Sequence, residues 1–515
     1  MKRPLLVWGL LFTLVLTTFG IASGASQAPV RGGTLRFAVA VEPITLSPLM
    51  TGGDAPSAKP RLALFDPLFF VNYGESKLVP GLATSLEKVS DTRWIVRLRK
   101  GVQFHKGYGE MTAEDVAFSY NETVQKKLRS VFSLSALKEA RVVDRYTVEF
   151  ILTNPYAAFQ ATSLTHLTMV VSKKAYQQMG MEKFNRNPVG TGPFEFVKWV
   201  PGNSIELKRF NRYWMKGLPY LNGIKFLIVP DAFVRANMLR TGQVDVVQTP
   251  DLKDVAKLRT EKGIVVQTIV AHAWDGILVS YKKVKDGPLG DARVRRAIAM
   301  ALDRNQIVRD VYYGFAVPTD TPTPPGFMGH PSNRVYGNTA DIAGAKKLLT
   351  EAGYANGFET TLMAPNYQPM VREAEVIAGQ LAQVGIRVKI EALDTGTYNS
   401  KLIGTHDFEL ALQDVVIVSP DPDSPIFWFH RKGTQHWHGW EHPEIDSLLD
   451  QGRALTERAD REPVYWKVQD LIRAENSFIY TVHSINVQAT RDYVQKLFLT
   501  PGAELNYAGT WLLKE

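Results

Sequence analysis

The chain has 515 residues, which is too long for one hydrophobic core and predicts two to four domains. Hydrophobic residues make up 45% and charged residues 22%, a balance that excludes disorder of the whole chain. The net charge is +9, but Lys and Arg are interspersed with Asp and Glu, so we expect no nucleic-acid partner.

The first 25 residues have the layout of a secretory signal peptide. The basic residues Lys2 and Arg3 precede an apolar run at 5–21, and small residues follow up to Ala25. We expect cleavage after Ala25, which removes two positive charges and lowers the net charge from +9 to +7. An uncleaved membrane anchor is the alternative, although the apolar run is near the short limit for a span.

The chain contains no cysteine. An exported chain without cysteine forms no disulfide, and it lacks the residue through which a lipoprotein receives its lipid. The sequence therefore predicts a periplasmic protein that is secreted through a cleaved signal peptide and is not a lipoprotein.

The first half of the chain alternates between strand and turn patterns. Thr112-Ala-Glu-Asp115 is a helix N-cap signature and predicts a helix at about 113–124. Asn187 to Pro193 is a turn-rich stretch that separates two groups of strands. Strands are predicted in five stretches: 33–41, 92–99, 141–152, 194–200 and 204–209.

The second half is richer in helices. Residues 291–304 carry a single apolar stripe at helical spacing, and Asp291 is the expected N-cap. Helices are also predicted at 341–352 and 371–384, each followed by a glycine. A proline-rich surface connector is expected at 318–331.

The predicted strands at 359–363 and 386–392 enclose the helix at 371–384. This βαβ order favours parallel pairing of the two strands. The chain as a whole is therefore predicted to be α/β.

Motifs for nucleotide hydrolysis, serine hydrolases and zinc peptidases are absent from the sequence. The histidines in 430–442 suggest either a metal-binding loop or a mobile aromatic loop, because Trp437 and Trp440 lie among them. Asp421 and Asp423 fit a turn and a helix cap better than an acid pair. Asp414 differs because it lies inside a predicted strand and needs a partner or a ligand.

Taken together, the motifs resemble the extracytoplasmic solute-binding proteins of ABC transporters, in the dipeptide, oligopeptide and nickel group (family 5). The resemblance covers about 32–513. It is carried by GGTLRFA, LVPGLATSLEKVSDTRWIVRLRKGVQFHKGYGEMTAEDVAFS, NPVGTGPFEFVKW, FNRYW, DARVRRAIAMALDRNQIV, AKKLLTEAG, PDP and PEIDSLLDQGRALTERADREPVYWKVQDLI, in that order. Each motif is weak alone, but their order is specific.

The resemblance implies a two-lobe periplasmic binding protein fold of the cluster C type, with an inserted domain and a hinge between the lobes. Lobe I then combines 26–67, 187–283 and 491–515. The inserted domain covers 68–186, and lobe II covers 284–490. Closure of the lobes over a solute removes water and strengthens directed hydrogen bonds.

The sequence differs from the peptide-binding members of the family at the positions that hold the amine of the bound peptide. Peptide-binding members have a Trp and an Asp where this chain has Val415 and Val418, so the usual amine-holding acid is missing. Asp414 lies four positions before Val418 on the same face of the strand, so it is the alternative amine contact, at another depth. Resemblance and position give eight candidate ligand-binding residues: Gly53, Asp54, Trp274, Asp275, Asp414, Trp437, Trp440 and His483.

The resemblance predicts a binding protein and not an enzyme, with no catalytic residue, no cofactor and no bound metal. Its expected partners are a small solute and the permease subunits of an ABC importer in the inner membrane, and a monomer is expected. Peptides are the first expectation for the solute. Opines, oligosaccharides and other non-peptide solutes are alternatives, and a nickel or metal-chelate binder is a further one.

Overall fold

The computed structural model describes residues 28–50, 55–72, 77–417, 419–433, 436–502, 505 and 507–513. The predicted signal peptide, Gly53, Asp54 and Val418 lie outside the described residues. Within the described part of the chain, no helix combines the length and the apolar character that a membrane span requires.

Strands are distributed along the whole described chain. They are β1 (Thr34–Val39), β2 (Phe69–Asn72), β3 (Lys77–Pro80), β4 (Ala83–Ser90), β5 (Arg93–Leu98), β6 (Leu137–Asp144), β7 (Thr147–Leu152), β8 (Phe194–Val200), β9 (Ser204–Arg209), β10 (Gly223–Ile228), β11 (Val246–Gln248), β12 (Ile264–Val270), β13 (Ala273–Val279), β14 (Ala316–Pro318), β15 (Phe358–Pro365), β16 (Ile386–Leu393), β17 (Leu410–Val416), β18 (Phe478–Arg491), β19 (Val494–Gln495) and β20 (Trp511–Leu512).

Helices alternate with these strands, most densely in the second half. They are α1 (Ala55–Leu64), α2 (Ala113–Gln125), α3 (Phe159–Ser163), α4 (Lys173–Met179), α5 (Met181–Arg186), α6 (Ala232–Arg240), α7 (Leu252–Leu258), α8 (Tyr281–Val284), α9 (Ala292–Ala301), α10 (Arg304–Asp310), α11 (Ile342–Glu351), α12 (Met370–Ala382), α13 (Thr395–Asn399), α14 (Asp423–Ile426), α15 (Pro443–Ala454) and α16 (Arg458–Glu475).

The largest sheet has two parts that share strand β18. The lobe I sheet contains β1 and β8–β12, and the lobe II sheet contains β13–β17. The first part of β18 pairs with β13 and β14, while its second part pairs with β12 and β11. The chain also crosses between the two sheets at 271–272, where β12 gives way to β13. This arrangement is an α/β fold of two lobes joined by a hinge.

The inserted domain has its own four-stranded sheet in the order β4-β5-β7-β6, and α2 packs on β6. Its core is continuous with that of lobe I, since Val96 and Phe150 belong to the same buried cluster as Phe37 and Phe226. The inserted domain is therefore packed firmly on lobe I.

The lobe II sheet is buried on both faces. On one face, strand residues such as Ile277 and Leu412 pack with α9, α11 and α12. On the other face, Leu278 and Ala411 pack with α15 and α16. Neighbouring strand residues therefore enter different cores, as the two-residue period of a strand requires.

The structure agrees with most of the predicted elements, but the proline-rich stretch at 318–331 is largely buried and is not the surface connector that the sequence predicts. Strands β8 and β9 have the predicted bounds, and β15 pairs in parallel with β16 as the βαβ order predicts. Asp291 caps α9 by accepting a bond from the Arg293 amide. The predicted helix at 291–304 is wrong at its end, because Leu302 is extended and Asp303 caps a second helix, α10.

The turn after β17 is fixed by two arginines. Asp421 accepts two bonds from Arg461, at 2.6 and 2.8 Å, and a third from the Asp423 amide at 3.0 Å. Asp423 accepts two bonds of 2.8 Å from Arg453. The turn interpretation of these aspartates is thus correct in its backbone geometry, but the sequence did not reveal that both carboxylates form buried ion pairs.

Replacement of Arg461 by Met should lower the melting temperature, because it leaves the Asp421 carboxylate buried without its charge partner. The expected cost is about 3–5 kcal/mol of unfolding free energy. Arg458→Met is the matched control in the same helix, because its ion pair with Glu462 is exposed and contributes at most about 1 kcal/mol. Equal melting temperatures for the two variants would contradict this assignment.

Candidate functional site

The candidate site lies at the edge of the lobe II sheet that borders lobe I. Strands β15, β16 and β17 are parallel to one another and end at this edge. The antiparallel strand β13 starts there, with its first residue opposite Val416. The 271–272 crossing reaches the sheet at the same edge, and Ile417 donates a backbone bond to the carbonyl of His272 at 2.7 Å. Ligands of open α/β sheets bind at the carboxyl ends of parallel strands.

Asp414 stands at this edge without a basic partner. Its side chain is exposed, and one carboxylate oxygen accepts a 2.9 Å bond from the Tyr367 hydroxyl in the loop after β15. Among the described residues, no Lys, Arg or His pairs with it. The surrounding protein reduces its solvation and raises the pKa of Asp414 from its ordinary value, against the lowering effect of Tyr367. An exposed but poorly solvated carboxylate is typical of a cleft wall.

Asp275 lies directly opposite Asp414 in the β13–β17 pair, so the two side chains are on the same face. Unlike Asp414, Asp275 is buried. Burial, then the negative charges of Glu373 and Asp414, raise its pKa well above the ordinary value. Asp275 thus lies beside Asp414 on the neighbouring strand, but in the interior of the protein.

One hydroxyl connects two buried carboxyl groups behind the edge. The Tyr312 hydroxyl lies within bonding distance of Asp275 and 2.7 Å from Glu373, and Glu373 also accepts a 2.6 Å bond from Thr481. A hydroxyl has a single hydrogen to donate, so one of the two carboxyl groups must itself be protonated and donate to Tyr312. Burial raises the pKa of Asp275 and of Glu373, which agrees with a proton retained by the pair.

Aromatic side chains form the other face of the edge. Trp274 is buried against Phe478, Tyr480 and Trp428, with ring centroids 4.5, 5.1 and 5.7 Å away. Trp428 is half-buried and lies 5.4 Å from the half-buried Trp437. Trp428 and Trp437 therefore reach the surface of the cluster, while Trp274 supports them from below.

Trp440 and His483 are interior residues. The Trp440 ring packs edge-on against Phe429 at 6.3 Å and is buried. His483 lies on β18, where its Nδ1 donates to the carbonyl of Ala273 at 2.8 Å. Burial lowers the pKa of His483 to about 4, so the ring is neutral near pH 7. Both residues shape the site from inside rather than from its surface.

In the histidine loop, residues 430–442, ring nitrogens of His436 and His438 form hydrogen bonds with nearby backbone groups. His436 and His438 both bond to the carbonyl of Trp428, at 3.3 and 3.2 Å, and Nδ1 of His438 accepts from the Trp440 amide at 3.0 Å. Burial, then the neighbouring His436, lower the pKa of His438 to about 3. The described residues contain no group of three or more His, Asp or Glu side chains that could hold a metal ion.

Sequence reasoning did not single out Tyr312, Tyr367 or Glu373. Glu373 carried a signal, since it occupies a position on the apolar face of α12 together with Ala374 and Ile377. An acid at a core position indicates a buried charge with hydroxyl or basic partners. The two tyrosines carried no such signal, because their partners are distant in sequence.

The inserted domain contacts lobe II along a narrow line, which we call the seam. The Ala157 amide donates to the carbonyl of Arg453 at 2.8 Å, and the hydroxyls of Thr162 and Ser419 are 2.8 Å apart. The Arg453 guanidinium also lies 4.9 Å from the centre of the Tyr156 ring. The seam therefore joins two parts of the chain that are far apart in sequence.

Comparison with known proteins gives one family. Residues 77–437 match the model of the bacterial extracellular solute-binding proteins, family 5 (middle region). The chain is 28% identical to the dipeptide-binding protein of Escherichia coli (strain K12), over 92% of this chain and 94% of that protein.

Two solved structures at 26% identity have the same fold. One is the ABC transporter-associated periplasmic binding protein DppA from Helicobacter pylori in complex with peptide STSA, with a TM-score of 0.83 over 94% of this chain and 99% of that chain. The other is the PBP AgaA in complex with agropinic acid from A. tumefacien R10, with a TM-score of 0.81 over 94% and 99%.

Glu373→Gln should remove a pH-dependent loss of stability. Because the folded-state pKa of Glu373 is raised to about 7, the folded chain keeps a proton that the unfolded chain releases near pH 4.5. The unfolding free energy of the wild type therefore falls as the pH rises through this window. As the pH rises from about 5 to about 8, the melting temperature of the wild type should therefore fall relative to that of Glu373→Gln.

The exposed Glu375, in the same helix, provides the control for this measurement. Glu375→Gln should follow the pH profile of the wild type. Parallel profiles for the wild type and Glu373→Gln would show that Glu373 does not retain its proton.

A disulfide should form across the seam in the double variant Thr162→Cys with Ser419→Cys. The 2.8 Å between the native hydroxyl oxygens places the two sulfur atoms close to bonding distance. No native cysteine competes. Thiol titration after mild oxidation should find no free thiol, and the melting temperature should rise. Each single-cysteine variant serves as a control, and persistent free thiols in the double variant would contradict the seam geometry.

Proposed function

Because the chain belongs to family 5 of the bacterial extracellular solute-binding proteins, we propose that it captures a peptide or peptide-like solute between its two lobes and delivers it to the permease of an ABC importer. The likeness to the dipeptide-binding protein and to a peptide complex supports this solute class. The observation that carries the proposal is Asp414, an exposed carboxylate without a basic partner among the described residues, at the edge between the lobes.

In this proposal, Asp414 holds the protonated amine of the solute. A cation beside a carboxylate of low solvation gains a stronger hydrogen bond than it has in water. Tyr367 orients the carboxylate through its 2.9 Å bond, and Asp275 lies behind it as a second negative or protonated group. Gly53, Asp54 and Trp437 remain proposed contacts, whereas Trp274, Trp440 and His483 support the wall from the interior.

We also propose a revised division of the chain into lobes. Strand β13 pairs with β17 of lobe II, so lobe II begins near 273 rather than at 284. Strand β18 changes partners near 484–485, so the return to lobe I comes before 490. The inserted domain keeps its proposed limits of 68–186. These two crossings then act as the hinge.

An opine is a second candidate solute. Opines join an amino acid to a second organic acid or sugar part, and AgaA binds agropinic acid with a fold like that of this chain. The replacement of the family's usual amine-holding acid by Val418 favours a solute with an altered amine. Agropinic acid therefore belongs in the same binding screen as the peptides.

The remaining parts of the proposal concern the state of the protein. We propose that it acts in the periplasm as a monomer, after cleavage of a signal peptide and without a lipid anchor. It transfers its solute unchanged and is not an enzyme. This part of the proposal rests on the family, whose relatives are named as binding proteins.

Asp414→Asn should weaken binding of alanyl-alanine at least tenfold, because a charged hydrogen bond to the amine contributes about 1.5–3 kcal/mol. Isothermal titration calorimetry of the purified protein measures this, with N-acetylated alanyl-alanine and agropinic acid as further ligands. The wild type should bind the free dipeptide more tightly than the acetylated form.

Asp407→Asn is the control, because Asp407 is an exposed acid of lobe II paired with Lys283. It should bind alanyl-alanine as the wild type does. An unchanged dissociation constant in Asp414→Asn would remove Asp414 from the site. Binding of agropinic acid without binding of any peptide would favour the opine function.

A further inference from the structure

A cavity of about 740 Å³ lies along the seam. Its walls come from both sides: Asn154 and Tyr156 belong to the inserted domain, while Val416 and Trp428 belong to lobe II. This volume falls within the range of about 300–1,000 Å³ in which proteins bind small organic molecules. The lining therefore comes from two domains.

The cavity adjoins the proposed amine site. Val416 follows Asp414 by two residues on β17, and both side chains are exposed. Residues two apart share a face of a strand and lie about 7 Å from each other. A solute whose amine lies at Asp414 therefore reaches the cavity with its next large group.

The fixed charges around the cavity largely cancel. Asp423 and Arg453 both line it and neutralise each other through two bonds of 2.8 Å. Exposed Lys432 and exposed Asp450 add one charge of each sign. The rest of the lining combines apolar surface, from Val416 and Trp428, with uncharged polar side chains such as Asn154 and Ser424. Such walls suit an uncharged, apolar group better than a charged one.

We propose that this cavity receives a bulky apolar side chain of the solute, and that the inserted domain thereby takes part in choosing the solute. The inference rests on the proposed peptide function, to which it adds a side-chain preference. Under this inference, Asp414 binds the amine end of the solute, and the volume of the seam cavity limits the size of the neighbouring side chain.

Two variants test the proposal from opposite walls. Val416 is 53% exposed, and Asn154 is also exposed, so a tryptophan at either position fills the cavity without disturbing a core. Val143→Trp is the matched control, because Val143 is 55% exposed on the inserted domain and does not line the cavity. Isothermal titration calorimetry with alanyl-alanine and alanyl-tryptophan reports the preference of each protein.

The wild type and Val143→Trp should bind alanyl-tryptophan at least tenfold more tightly than alanyl-alanine. Val416→Trp and Asn154→Trp should lose this preference, so that their dissociation constants for the two dipeptides differ by less than about twofold. A wild type that binds both dipeptides equally, or variants that keep the preference, would overturn the cavity assignment alone. A wild type that binds neither dipeptide would overturn the peptide function and this inference with it.

Discussion

Strand β18 is the constraint on which the two-lobe arrangement depends. Its 14 residues form one uninterrupted strand that completes the lobe II sheet with its first part and the lobe I sheet with its second. Where the strand passes from the lobe II sheet to the lobe I sheet, its amides and carbonyls take new hydrogen-bond partners, because buried amides and carbonyls are costly when unpaired. The two lobe sheets are therefore joined through this strand, and the candidate site lies near the second crossing, 271–272.

The same edge also explains why acids and hydroxyls gather behind the cleft. The parallel strands β15, β16 and β17 end together there, at the edge where open α/β sheets bind their ligands. Asp275, Glu373 and Tyr312 satisfy one another through a shared proton, without a basic side chain among the described residues. The exposed Asp414 is left to face the cleft with a single tyrosine partner. The buried Asp275–Glu373 pair thus keeps a proton while the exposed Asp414 carries a charge, because the two positions differ in solvation.

Local patterns predicted much of the fold and little of the site. The alternation at 194–200 and 204–209, the cap at Asp291 and the order of β15, α12 and β16 each depend on neighbouring residues, so the sequence reveals them. The pairing of Asp421 with Arg461 depends on a contact made across the fold. The break after Leu302 involves one as well, because the Asp303 amide donates to the Gln380 side chain. The same holds for Tyr367 and Asp414, which are 47 residues apart in the chain.

At the seam, the bond from the Ala157 amide to the Arg453 carbonyl joins main-chain atoms only. Such a contact survives most exchanges of side chain at either position. The domains can therefore keep the same meeting point while Asn154, Tyr156 or Val416 change in size over generations. Side chains along the seam can therefore be exchanged without altering the main-chain bond that joins the inserted domain to lobe II.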